Sequence, residues 1–316
     1  VPLVPRTEIE ALALFTLAVI ALVALDVAIV HRKARRIRMR QAVLWTAFWI
    51  GLALAFGCGV FLWRGRQAGL EFITAYVLEE SLSVDNLFVF SVLLFSYRIA
   101  AEQQHRVLGW GIYGALVTRA VFILAGVFLI SRFHWVLYLF GAFLLFTGVR
   151  LLTPGRKIAA GEHNWAVRLA QRFFPVATDA PAGKFFVRRE GRRYATPLLL
   201  ALATIEATDI LFAFDSIPAV FGVTHDPFIA YTSNILAVVG MRSLYFVLAA
   251  AVRSFRYLER GVAAILIFIG AGMLAAHWVR LPVVLSLVVI SGILAVAVAA
   301  SVLRGDGAGA GDKTKS

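Results

Sequence analysis

The sequence predicts an all-α polytopic membrane protein with about nine transmembrane helices and an internal inverted repeat. Three observations carry that prediction. Apolar runs long enough to cross a bilayer follow one another along the 316-residue chain, of which 61% is hydrophobic, against ~45–50% in a soluble domain. Lys and Arg gather in alternate connections between those runs. One pairing of an Asp with a later Arg occurs twice.

The runs cover about Glu8–Val30, Gln41–Trp63, Leu70–Phe95, His105–Ile130, Phe133–Leu152, Thr196–Val220, Phe228–Val252, Leu258–Trp278 and Leu281–Leu303. Each matches the ~20 residues a helix needs to cross about 30 Å of hydrocarbon. The start, "VPLVPR" (Val1–Arg6), carries no signal peptide and is expected to be a protease-site scar.

The basic residues then sort by side. "HRKARRIRMR" (His31–Arg40) carries six Lys and Arg, and the loop Thr153–Ala195 carries nine. With Ser96–Arg106, Arg253–Arg260 and the tail, one side holds most of the chain's Lys and Arg. The other side holds Arg6, Arg64, Arg66, Arg132 and Arg280. The positive-inside rule therefore places the N-terminus outside and the C-terminus in the cytoplasm. This loop bias accounts for the net charge of +13 without any nucleic-acid partner. Cys58 is the only cysteine, so no internal disulfide forms.

One transmembrane domain, 1–303, is expected, with a cytoplasmic loop at 153–195. In that loop Trp165, Leu169 and Phe173 recur at helical spacing, which suits a short helix on the membrane surface. "FFVRREGRRY" (Phe185–Tyr194) reads as a hairpin turning at Glu190–Gly191. The tail 304–316, "RGDGAGAGDKTKS", is low in complexity and expected to be disordered.

The repeat sets Asp85 in "DNLFVFS" beside Asp209 in "DILFAFD". Arg119 in "VTRAVFILA" follows the first, and Arg242 in "GMRSLYFVLA" follows the second at nearly the same separation. Spans three to five would thus recur as spans six to eight, with spans one, two and nine peripheral. Three crossings separate the copies, so they point in opposite directions. Inverted repeats place substrate sites near the membrane midplane.

The acids ask for a function. Span three carries Glu79, Glu80 and Asp85, followed by Asn86, and span six carries Glu206, Asp209 and Asp215, followed by Ser216. Each charge costs about 2.5–3.5 kcal/mol at a helix centre on insertion scales. Oxygen donors with no His or Cys among them suit hard divalent cations. The six histidines lie at helix ends or in loops, which argues against zinc and against an H-E-x-x-H protease. No G-x-S-x-G motif is present, and no enzyme is expected. Arg119 and Arg242 are the candidate counter-charges; pairing with them explains two acids, not six. On a straight helix Glu206 and Asp209 share a face, while Asp215 lies ~120° from Asp209. Span six is therefore expected to unwind beside Pro218, whose ring removes the hydrogen bond to the carbonyl of Phe214. Asn86 and Ser216 would be auxiliary ligands, and Glu80 is expected to face headgroups or a loop.

Together "EESLSVDNLFVF", "FFVRREGRRYATP", "EATDILFAFDSIPAVFGVTHDPF" and "TSNILAVVGMRSLYF" resemble the TerC/Alx family of bacterial integral membrane proteins, over roughly His31–Ser301. That family is placed with small-solute exporters of the LysE type. Its members are associated with manganese export, metal supply to exported enzymes, and tellurite or alkaline-pH phenotypes. The resemblance implies Mn²⁺ as the transported ion, no organic cofactor, and Glu79, Asp85, Glu206, Asp209 and Asp215 as its ligands. A close relative has a basic residue in place of Glu80, which sets Glu80 apart. Ala207–Thr208 stands where a hydrophobic–Ser pair is more usual. The expected function is Mn²⁺ export by alternating access, with the metal ion and the bilayer as partners; nothing in the sequence sets an oligomeric state. Export of Ca²⁺ or another cationic solute, and a non-transporting role in membrane assembly or metalation, are the alternatives.

Overall fold

The computed structural model describes residues 6–31, 39–152, 175–177, 183–189, 192–249, 257–279 and 281–305. Among them run nine helices: α1 (Arg6–His31), α2 (Met39–Arg64), α3 (Arg66–Ser96), α4 (Ala101–Arg132), α5 (Val136–Leu152), α6 (Pro197–Phe221), α7 (Pro227–Ala249), α8 (Leu258–Ala275) and α9 (Val283–Gly305). Strands β1 (Phe186–Arg189) and β2 (Arg192–Ala195) form an antiparallel hairpin. The apolar runs of the sequence fall on these helices to within a few residues. The surface helix expected at Trp165–Phe173 and the tail beyond 305 lie outside the described residues.

Six helices, α2, α4, α6, α7, α8 and α9, are long and apolar enough to cross a membrane unaided. α4 shows why: Val117, Val121, Leu124 and Phe128 form an exposed stripe at helical spacing, apolar where lipid would lie. Helix α3 is different. Its 31 residues would reach ~46 Å, yet it carries Glu71, Glu79, Glu80 and Asp85. It can do so because α2, α6, α7, α8 and α9 all pack against it. Exposed Trp63, Trp135 and Trp278 stand at the end of α2, the start of α5 and the end of α8. All three belong to one end of the bundle, as an interfacial aromatic belt requires.

That end is fastened by side chains. The Asp226 carboxylate accepts from the Phe228 and Ile229 amides at 2.9 and 3.2 Å and so starts α7. Its second oxygen pairs with Arg64 of α2 at 2.8 Å. The Thr224 hydroxyl donates to Glu71 of α3 at 2.6 Å. At the opposite end Thr196 caps α6, and Pro197 supplies the fixed φ of its first turn. The hairpin register pairs Arg189 with Arg192 on either side of Glu190–Gly191, where the sequence placed the turn.

Across the two halves of the bundle, α3 packs on α6, α7 and α8; α4 packs on α6 and α7; α5 packs on α6 and α8. Helices α5 and α8 meet through Gly141, Gly148 and Gly270: a Cβ at Gly270 would stand 2.7 Å from the carbonyl oxygen of Gly141. Leu78, Leu82, Ile123, Leu144, Ile217 and Phe221 form the apolar core beside this contact.

One expectation fails here. Helix α6 does not unwind at Asp215–Pro218; it runs unbroken to Phe221 with Pro218 inside it. Pro218 still removes one bond, that to the Phe214 carbonyl, but the rest of the turn holds, and membrane helices tolerate proline among packed neighbours.

Candidate functional site

Arg119 of α4 is fully buried at the centre of the bundle. Its Nη1 donates to Glu79 of α3, to Asn234 Oδ1 of α7 at 3.0 Å and to Ser216 Oγ of α6 at 3.3 Å. Its Nη2 donates to Asp209 Oδ1 of α6 at 3.4 Å. One guanidinium thus joins four helices and two carboxylates, Glu79 and Asp209, which are 0% and 2% exposed. A fixed fork of donors suits such a junction better than an ammonium.

The junction is incompletely satisfied. Glu79 Oε2 and Asp209 Oδ2 are buried without a hydrogen-bond partner among the described residues, as are Ser83 Oγ and the Asn86 amide nitrogen. Each such group costs about 1–3 kcal/mol, more when charged. Two carboxylates face one guanidinium here, and two donors of the same junction, Arg119 Nε and the Asn234 amide nitrogen, are likewise unpartnered among the described residues.

Two small cavities flank it. One, of about 20 Å³, is lined by Glu206, Asp209 and Arg242 with Gly111, Ile112 and Met241. The other, of about 30 Å³, is lined by Asp85, Asn86, Asp215 and Ser216 with Leu82 and Phe212. Each has room for about one or two water-sized spheres. Glu206 fits against α4 because Gly114 lacks a side chain: a Cβ there would overlap the carboxylate.

The sequence-predicted residues are therefore distributed. Glu79 and Asp209 meet at Arg119; Asp85 and Asp215 line one cavity with both auxiliary candidates, Asn86 and Ser216; Glu206 shares the other with Arg242. Among the described residues no three Asp, Glu, His or Cys side chains stand close enough to hold one metal together. Glu80 does not face headgroups or a loop. It accepts from the Tyr76 hydroxyl at 2.8 Å and lies against the backbone of Gly240 in α7. Helix α7 packs against this side of α3, so Glu80 is partly covered by protein. Asn234 was missed. Its signal was present as Thr232–Ser233–Asn234, three consecutive polar residues inside an apolar span, all 0% exposed.

Comparison with known proteins agrees with this architecture. The family described as "Integral membrane protein TerC family" matches residues 64–306. An "Uncharacterized membrane protein STKORF319" of Myxococcus xanthus is 49% identical over 290 residues, covering 92% of this chain and 91% of its own. The "Putative membrane-bound redox modulator Alx" of Escherichia coli strain K12 is 41% identical over 290 residues, covering 89% and 90%. An uncharacterized membrane protein of Rickettsia bellii is 36% identical over 291 residues, covering 92% and 96%. No solved structure matches the chain. Six self-sufficient apolar helices, the family match and these near full-length relatives lead to one conclusion: this chain is an integral, multi-pass membrane protein and belongs to the TerC family.

Proposed function

We propose that the protein exports a divalent metal ion, Mn²⁺ before others, by alternating access across the cytoplasmic membrane. The observation that carries this reading is the pair of buried carboxylates, Glu79 and Asp209, sharing one guanidinium with one oxygen of each left unpartnered among the described residues. A divalent cation and Arg119 compete for the same two carboxylates, so metal entry releases the guanidinium and loosens the junction of α3, α4, α6 and α7. Asp85, Asp215, Asn86 and Ser216 form the next set of oxygens, and Glu206 with Arg242 borders the junction on its other side.

Alternating access needs two bistable halves, and we read α3–α5 and α6–α8 as an inverted repeat. Exchanging α3 with α6, α4 with α7 and α5 with α8 leaves the set of packing pairs between the halves unchanged. The register differs from the D-x-L-F-x-F match. Counted from the first residues of α3 and α6, Arg66 and Pro197, Glu79 and Asp209 fall at nearly the same position. Asp85 and Asp215 likewise fall at nearly the same position, further along each helix. Glu79 thus corresponds to Asp209, and Asp85 to Asp215, with the same spacing between the two acids in both helices.

In this reading the protein is not an enzyme, needs no organic cofactor, and has its N-terminus outside and C-terminus in the cytoplasm. Mn²⁺ is favoured over Mg²⁺ because Mg²⁺ gives up water reluctantly. The redox role in the name of the Escherichia coli relative finds no dithiol here, since Cys58 is the one cysteine. The test is growth in high Mn²⁺, with intracellular metal measured, in a host lacking its own exporter. Wild-type protein should lower intracellular Mn²⁺, and Asp209→Asn should not, at equal amounts in the membrane. Equal protection by both proteins would move a role in membrane assembly to first place.

A further inference from the structure

We infer that the β1–β2 hairpin is a docking surface for the anionic headgroups of the lipid leaflet beside it. The hairpin is tied to two membrane helices. β2 passes into α6 through Thr196 alone, whose hydroxyl donates to the carbonyls of Lys184 and Phe185 at 2.7 and 3.1 Å. Arg106, in the second turn of α4, donates to the carbonyl of Gly183. The Phe185 ring meets Trp110 of α4 edge-on, with centroids 6.5 Å apart. A strand rises ~3.3 Å per residue, so every residue of β2 lies within about 17 Å of chain from Pro197. An extended arginine closes much of that distance to the headgroup layer, which adds roughly 5–8 Å to each side of the hydrocarbon.

The hairpin's own chemistry asks for anions. Its register sets Arg188 directly opposite Arg193, and both are exposed. On the same face Phe186 is 44% exposed. Arg192 is exposed on the other face, and Lys184 at the base. Arg188, Arg192 and Arg193 form no ion pair among the described residues. Like charges opposite one another weaken an antiparallel pair. A phosphate between Arg188 and Arg193 would turn that repulsion into two charge-assisted forks. Both a lipid headgroup and a free anion could supply the phosphate. The leaflet is favoured because the arginine pair shares its face with an exposed aromatic ring and is anchored at a membrane helix terminus. Juxtamembrane basic segments gain affinity for anionic leaflets in this way. This inference does not depend on metal transport.

The experiment uses the full chain in nanodiscs of phosphatidylcholine, or of phosphatidylcholine mixed with phosphatidylglycerol, and follows amide exchange of residues 186–195. Exchange should be slower by about ten-fold in the anionic discs. The difference should vanish at ~1 M salt, where the screening length is about 3 Å. It should also vanish in the Arg188→Gln/Arg193→Gln protein, with its thermal unfolding recorded to show that the bundle is intact. Equal exchange in both discs for the wild-type chain overturns the inference, and that arm needs no variant. So does equal slowing in phosphatidylcholine discs by added inorganic phosphate, which would identify a soluble anion as the ligand.

Discussion

Glu79 and Asp209, on helices from opposite ends of the chain's acidic repeat, accept from different nitrogens of one guanidinium, that of Arg119. Each keeps a second oxygen that nothing else satisfies among the described residues. The arrangement holds two helices from different halves of the bundle through a single cation. Whatever replaces that cation changes how α3 and α6 are joined.

Removing the guanidinium leaves two uncompensated buried carboxylates. Arg119→Met should destabilise the protein by roughly 3–5 kcal/mol. Added Mn²⁺ should recover more stability in this variant than in the wild type, because it supplies the missing positive charge. Thermal unfolding in detergent, followed by tryptophan fluorescence, measures both effects. A variant as stable as the wild type would show that Arg119 does not neutralise the acids.

Gly114 can be tested for its close approach to Glu206. Gly114→Ala places a Cβ where the Glu206 carboxylate now lies. That carboxylate ends a flexible side chain, so the fold should persist while Mn²⁺ transport falls. Gly51→Ala, which meets nothing within 4 Å, is the control. Equal transport by both variants would place Glu206 outside the path.

Glu80 should separate packing from transport. Glu80→Gln keeps an acceptor for the Tyr76 hydroxyl and should be nearly silent in stability and transport. Glu80→Leu strands that hydroxyl and should cost about 1–3 kcal/mol. Combining Glu80→Leu with Tyr76→Phe should return part of the loss, as a double-mutant cycle would reveal. A loss of transport in Glu80→Gln would make Glu80 part of the path.

The helices were legible because an apolar run of membrane length has few alternative structures in lipid. The hairpin pairing of Phe186–Arg189 with Arg192–Ala195 was legible in the run "FFVRREGRRY". The acids were legible as a group, since a charge in such a run stands out. Their partition was not. Angles on an isolated α6 separate Asp209 from Asp215, and no single helix reveals that Asp215 shares a cavity with Asp85 of α3. The unwinding expected at Pro218 came from assuming that all five carboxylates meet at one point. Glu80 was misplaced for a related reason: one helix read alone does not show that α7 packs against the side that carries it. Asn234 was overlooked because an uncharged amide hardly changes the hydropathy of a span.

Asn234 supplies the one uncharged side-chain acceptor within 3.0 Å of Arg119 among the described residues. Asn234→Ala should cost about 1.5–3 kcal/mol, the range for hydrogen bonds to charged groups. It should also reduce Mn²⁺ transport by loosening the guanidinium. Stability and flux measured on the same preparation check this, and unchanged values for both would remove Asn234 from the site.

The central claim is that the acids of α3 and α6 conduct the metal. The direct measurement is Mn²⁺ flux into proteoliposomes containing purified wild-type, Asp85→Asn or Asp209→Asn protein, with Mg²⁺ as competitor. The wild type should carry Mn²⁺ above the rate of protein-free liposomes, with weak competition from Mg²⁺, and both variants should fall to the protein-free rate. Wild-type flux in both variants, or no flux in the wild type, would contradict the account.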